Sequence, residues 1–171
     1  MRNTILFLSL LALGACATSP APDTGAGGAT DPEFGALQER GAAAMGVDQY
    51  TSTHVFDDLP DGGRIELQRN AADPAGTAAI QAHLREIAAA FGRGDFRTPA
   101  RVHAREVPGT PVMAARAHAI RYEFRPLPRG GEVRITTRDP EALRAVHAFL
   151  AFQRLDHRAA GHEGHGHPPT P

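Results

Sequence analysis

The sequence predicts an α+β domain: a four-stranded antiparallel sheet with two helices on one face, built from a ββα unit used twice, plus a short N-terminal helix. Three observations carry this. Leu59-Pro60-Asp61-Gly62-Gly63 is answered by Leu127-Pro128-Arg129-Gly130-Gly131. Each stretch lies between runs that alternate apolar and polar residues, the periodicity of a strand with one buried face. Each return run is followed by Asp-Pro, at Asp73-Pro74 and Asp139-Pro140, ahead of apolar residues at helical spacing. Neither a hairpin nor an amphipathic helix can bury its apolar face alone, so the simplest solution closes both copies around one core.

The elements follow in order. Residues 36–46 read as a short helix closed by Gly46. Tyr50 to Leu59 is rich in β-branched and aromatic residues and reads as a strand. Pro60-Asp61-Gly62-Gly63 is a hairpin signal, and Arg64-Ile65-Glu66-Leu67-Gln68 is the return strand. Asp73 as N-cap and Pro74 at the first helical position open a helix through Ile80, Leu84, Ile87 and Phe91, which stops at Gly92-Arg93-Gly94. The connection holds Pro99, Pro108-Gly109 and Thr110-Pro111, where Thr110 is a candidate cap for a short turn carrying Met113. Ile120 to Arg125 and Glu132 to Thr136 are the second pair of strands. Asp139-Pro140 opens the last helix, through Leu143, Val146 and Leu150 to about His157. Alternation places Phe56, Ile65, Leu67, Ile120, Tyr122, Phe124, Val133 and Ile135 on the inner sheet face. Arg121, Arg125 and Arg134 fall on the outer face with Glu66, Glu123 and Glu132, a solvated surface or a partner surface.

The two ends read differently. Met1-Arg2-Asn3 precedes an apolar run from Ile5 to Leu13, too short for a bilayer span of ~20 residues and proportioned like a secretory signal. It ends in Leu13-Gly14-Ala15-Cys16, which resembles the lipobox of bacterial lipoproteins. That resemblance implies cleavage after residue 15 and lipidation of Cys16, with Ala17 favouring outer-membrane sorting; a plain signal peptide with an incidental Cys is the alternative. Several acyl chains anchor stably where one binds only marginally. Residues 16–35 are dominated by small residues, Pro and Gly and read as a flexible tether. Residues 161–171 read as a disordered tail with His162, His165 and His167, a tract that chelates divalent ions weakly. The folded unit is then 36–160, large enough for its own core.

Composition narrows the function. The 171 residues carry 18 basic and 19 acidic side chains, and every basic residue is Arg. A net charge of −1 gives no basic face for a nucleic acid. The single Cys excludes an internal disulfide framework and a Cys-based zinc site. No Gly-x-Ser-x-Gly, phosphate-binding loop, dinucleotide fingerprint or His-Glu-x-x-His is present.

The nine His are the unusual feature. His54 shares the inner face with Phe56. His83 lies in the apolar stripe of the first long helix and His147 in that of the second. His103 follows Val102 in the connection; His118 and His157 have no place in the pattern. A buried imidazole needs partners for its ring nitrogens. Hydrogen bonds to neighbours such as Thr53, Asp57 and Tyr122 would supply them, and so would a shared metal ion. Imidazoles with the Met113 thioether suit copper best; three His alone suit zinc with an open position. Haem with His or His/Met ligation is a third choice, without a Cys-x-x-Cys-His attachment motif.

Several segments together resemble a family of small, uncharacterised bacterial proteins. They are Met45-Gly46-Val47-Asp48-Gln49, Thr53-His54-Val55-Phe56, Pro60-Asp61-Gly62-Gly63, His83-Leu84, Gly94-Asp95-Phe96, Val102-His103, Pro108-Gly109-Thr110-Pro111-Val112-Met113 and Ala145-Val146-His147-Ala148-Phe149-Leu150-Ala151-Phe152-Gln153, within about residues 40–158. That family's pattern has two adjacent His at positions 54 and 55; here 55 is Val. Some of its members bear an aspartate carbamoyltransferase label. The present chain is too short for that enzyme and lacks its Ser-Thr-Arg-Thr phosphate motif. The expectation is therefore an envelope lipoprotein, anchored to the membrane and facing the periplasm. Its domain would gather His54, His83, His103, His147 and Met113 around a transition metal or small ligand, copper first. A metal-dependent enzyme with an open coordination position, and a metal-free structural or interaction module, are the alternatives.

Overall fold

The computed structural model describes residues 31–47 and 49–159. The signal, Cys16, most of the tether and the His tail lie outside the described residues. Ten elements run in the order α1 Pro32–Met45, β1 Ser52–Leu59, β2 Gly62–Arg69, α2 Pro74–Gly92, α3 Arg97–His103, α4 Thr110–Ala115, a 3₁₀ turn Ala117–Ala119, β3 Ile120–Leu127, β4 Gly130–Thr137 and α5 Pro140–Asp156. The strands form one antiparallel sheet in the order β1-β2-β4-β3, so the α+β class and the four-stranded sheet stand as expected.

The two ββα copies meet at β2 and β4. Ile65 pairs directly with Val133, and these residues hold equivalent places in the two copies. The chain therefore has a local pseudo-twofold axis through that pair. Each long helix crosses to the other copy: α2 packs mainly on β3 and β4, and α5 on β1 and β2. This exchange ties the halves into one core of Ile80, Leu84 and Phe91 from α2, Val146, Phe149 and Leu150 from α5, and Phe56, Leu67, Val133 and Ile135 from the sheet. Tyr122 and Phe124, on the edge strand β3, are only half-buried; the Arg85 guanidinium covers the Phe124 ring at 4.4 Å.

Local chemistry explains the turns and caps. Leu59 pairs with Gly62 and Leu127 with Gly130, so the loops are Pro60-Asp61 and Pro128-Arg129. The glycines open the return strands rather than forming the turns. Gly62 has φ +149, and a Cβ there would fall 2.0 Å from the Ile135 carbonyl oxygen. At Gly130 it would fall 1.9 Å from the Leu67 oxygen, the same approach on the other side of the axis. Asp73 and Asp139 cap α2 and α5 by accepting from Gly76 N and from Glu141 and Ala142 N.

Three expectations are corrected. α1 begins at Pro32 rather than residue 36, because Asp31 caps it by accepting from Glu33 and Phe34 N; residues 31–35 belong to the domain, not the tether. α3 has no side-chain cap and was not expected. Thr110 is inside α4, where its hydroxyl donates to Val107 O at 2.7 Å, and Gly109 takes the cap position. On the outer face, Arg125 reaches Glu132 at 3.5 Å and Glu123 at 3.6 Å. Arg134 instead turns to the first hairpin, donating to Gly63 O at 3.1 Å and to Asp61.

Candidate functional site: an imidazole-lined cavity

Four imidazoles face one cavity of about 90 Å³. His54 comes from β1, His83 from α2, His103 from the end of α3 and His157 from the C-cap of α5. Gly41 and Met45 of α1 close one side. The remaining wall is largely apolar, with Phe56, Leu67, Leu84 and Phe149 among its residues.

His54 is 8% exposed, and neither ring nitrogen has a hydrogen-bond partner. Its ring lies nearly parallel to that of His157, with centroids 5.3 Å apart and planes at 13°. The His157 ring meets that of His103 at 5.0 Å, edge to face. The His54 and His157 rings are stacked, so their nitrogen lone pairs lie in near-parallel planes, and one ring must turn before both can bind the same ion.

His103 and His157 are each held from behind. His103 Nδ1–H donates to Asp156 Oδ2 at 2.5 Å, and Arg105 binds the other carboxylate oxygen at 2.7 Å. His157 Nδ1–H donates to Gln49 Oε1 at 2.8 Å, and Gln49 Nε2 donates back to His157 O at 2.5 Å. Such acceptors fix the tautomer and leave the Nε2 lone pair for another use. For His103 that lone pair faces the Gln153 amide at 3.0 Å. The Gln153 nitrogen is otherwise unpartnered, and with the amide turned so that nitrogen donates, both groups are satisfied.

Burial favours the neutral form of His54, His83 and His157. Desolvation lowers His54 to about 4, with His83 adding repulsion. It lowers His157 to about 3, with His54 and His103 adding theirs. His83 is also lowered by burial, against the opposing pull of Glu86 and the Ala44 carbonyl. Neutral imidazole is the form that donates a lone pair to a metal.

The expected ligand set is thus rearranged. His54, His83 and His103 share the cavity. Met113 is fully buried in the core, outside the cavity lining. His147 is turned to the hairpin: its Nε2 donates to Leu59 O at 3.0 Å and Gly62 O at 2.9 Å. Gln81, at the same distance from its own Asp cap, donates to Gly130 O at 3.1 Å. His147 is therefore the pseudo-symmetric partner of Gln81 and a clamp on the turn. His118 is exposed in the 3₁₀ turn. His157, without an expected place, continues the α5 stripe of Val146, Leu150 and Gln153 beyond the last helical turn, and that spacing was the available signal. Met45 replaces Met113 as the cavity thioether. Among the described residues, no three His, Cys, Asp or Glu side chains stand grouped to hold an ion as they are, and no helix is long and apolar enough to cross a membrane.

No family model, no curated protein and no solved structure matches the chain.

Proposed function

We propose that the protein is a lipid-anchored envelope protein whose domain binds a transition-metal ion through cavity imidazoles, copper first and zinc second. The observation that carries this is His54: a buried imidazole with both nitrogens unpartnered, facing a cavity that three more imidazoles share. An unpartnered buried polar group costs roughly 1–3 kcal/mol, and a ligand offsets that cost. Asp156 and Gln49, behind His103 and His157, are arranged like the outer acceptors of metal-binding His.

Binding, sequestration or delivery is favoured over catalysis. Among the described residues, no carboxylate lines the cavity to act as a general acid or base, and its one hydroxyl, Thr98, has no hydrogen bond to an imidazole that would activate it. A metal-free module has one supporting observation, that His103 and His157 already hold protein partners. It leaves His54 without a role.

The anchor rests on the sequence Leu13-Gly14-Ala15-Cys16. Cys16→Ser is expected to release the protein from membranes; a variant that still partitions with them contradicts the anchor. For the cavity, the test is elemental analysis of the full chain carrying H162A, H165A and H167A, which removes tail chelation. About one copper or zinc per chain is expected, at micromolar affinity or tighter. No metal, together with no thermal shift on adding either ion, contradicts the reading.

A further inference from the structure

The donors facing the cavity are all uncharged. They are four imidazoles, the Met45 thioether, the Thr98 hydroxyl and the Gln153 amide. No carboxylate and no thiolate lines it. The one acid bound to a cavity imidazole, Asp156, stands behind His103 and shares its charge with Arg105.

This donor set bears on the charge of the ion. The cost of moving an ion out of water grows as the square of its charge, and a buried ion is tolerated only when nearby groups compensate it. A divalent ion here would have neutral ligands alone. Zn(II) accepts three neutral imidazoles when a water or hydroxide takes its fourth position, so it would bring that water into a largely apolar lining. A monovalent ion has one quarter of that desolvation cost and needs no anionic ligand. The thioether is a soft neutral donor of the kind that selects Cu(I), and imidazole suits copper as it does other transition metals.

We infer that the cavity selects Cu(I) over divalent ions, with His54 and His157 as nitrogen ligands and Met45 as the sulfur ligand. This rests on the metal-binding reading above and names the oxidation state and ligands it requires. Gln49 fixes the His157 tautomer so that Nε2 is the ligating atom, and His54, which has no hydrogen-bond partner to hold it, is the ring that turns out of the stack to share the ion. His103 remains tied to Asp156 and Gln153 and walls the site.

The test is an anaerobic competition titration against a chromophoric Cu(I) chelator. It uses the full chain with H162A, H165A and H167A, with Zn(II) and Cu(II) titrated separately. One Cu(I) per chain is expected, bound at least ~100-fold more tightly than Zn(II). X-ray absorption should show both a nitrogen and a sulfur shell around copper. Met45→Leu, a volume-conserving change, should remove the sulfur shell and weaken Cu(I) about 10-fold. The double variant H54Y/H157F should lose Cu(I) binding; its residues are those that the other ββα copy uses at the equivalent places, Tyr122 and Phe91. Zn(II) or Cu(II) bound in the cavity as tightly as Cu(I) would overturn the inference and leave the metal-binding reading standing. A sulfur shell that survives Met45→Leu, or Cu(I) retained by the double variant, would overturn the ligand assignment. No binding of any of the three ions would overturn both.

Discussion

His54 and His157 lie with ring planes 13° apart and centroids 5.3 Å apart, in the place where the other ββα copy puts Tyr122 and Phe91. Those two aromatics meet edge to face at 5.7 Å. One half uses a phenol and a phenyl ring; the other uses two imidazoles. Both copies leave polar atoms at this strand position buried without partners, the Tyr122 hydroxyl in one and both His54 nitrogens in the other, but the imidazole pair gives up apolar burial that the phenol and phenyl rings provide.

The first prediction concerns acid. An unfolded His titrates near 6.5, while burial lowers His54 to about 4 and His157 to about 3. The folded state therefore binds fewer protons than the unfolded chain between these values. The stability tied to these groups is complete above about pH 6.5 and is lost as pH falls toward the folded values. Urea midpoints measured from about pH 7.5 down to about pH 5 should fall for the parent and fall less steeply for H54Y/H157F. Equal slopes would show that the rings are not held neutral.

His147 is predicted to matter for stability and not for metal. Removing its bonds to Leu59 O and Gly62 O by His147→Ala should cost ~1 kcal/mol. Gln81→Ala should cost a similar amount through Gly130 O. Neither should change metal stoichiometry in a titration. A lost ion in His147→Ala would place that side chain in the site after all.

Two glycines should respond in opposite senses. Gly62→Ala drives a Cβ to 2.0 Å from the Ile135 carbonyl oxygen at φ +149, and backbone cannot yield there cheaply. A loss of more than ~3 kcal/mol in denaturant unfolding is expected. Gly92→Ala, at the end of α2 with nothing within 4 Å of the new Cβ, should gain about 0.5 kcal/mol. Similar midpoints for the two variants would contradict the tight β2–β4 approach.

Much of the fold was legible because local signals agreed with one another. The Leu-Pro-x-Gly-Gly and Asp-Pro pairs located both hairpins and both long helices. The start of α1 was not, because Asp31-Pro32 sits in a run of small residues and Pro that reads as tether, although it carries the same cap as the other two helices. α3 was missed because Phe96 offers no side-chain cap and Pro99 interrupts the pattern. Strand order and the crossing of α2 and α5 onto opposite copies depend on contacts between distant segments, which periodicity does not encode. The site was half legible for the same reason. Face assignment brought out His54 and His83, and His103 was singled out by its neighbour. His147 shares the helical stripe, but the stripe alone does not tell a turn clamp from a cavity ligand. His157 lies past the last turn of its helix, where the pattern stops. The alignment of Asp caps, pairing His147 with Gln81 and His157 with Phe91, was available in the sequence.

The central claim is that His54 and His157 are kept for a ligand, and one measurement tests it most directly. The unfolding midpoint of the full chain carrying H162A, H165A and H167A is compared anaerobically with and without Cu(I), alone and with H54Y/H157F added. An ion at 100 times its Kd stabilises the folded state by about 2.7 kcal/mol, so the parent midpoint should rise clearly. The variant should fold, start at or above the metal-free parent, and show no rise. No rise in the parent, or an equal rise in the variant, would contradict the account.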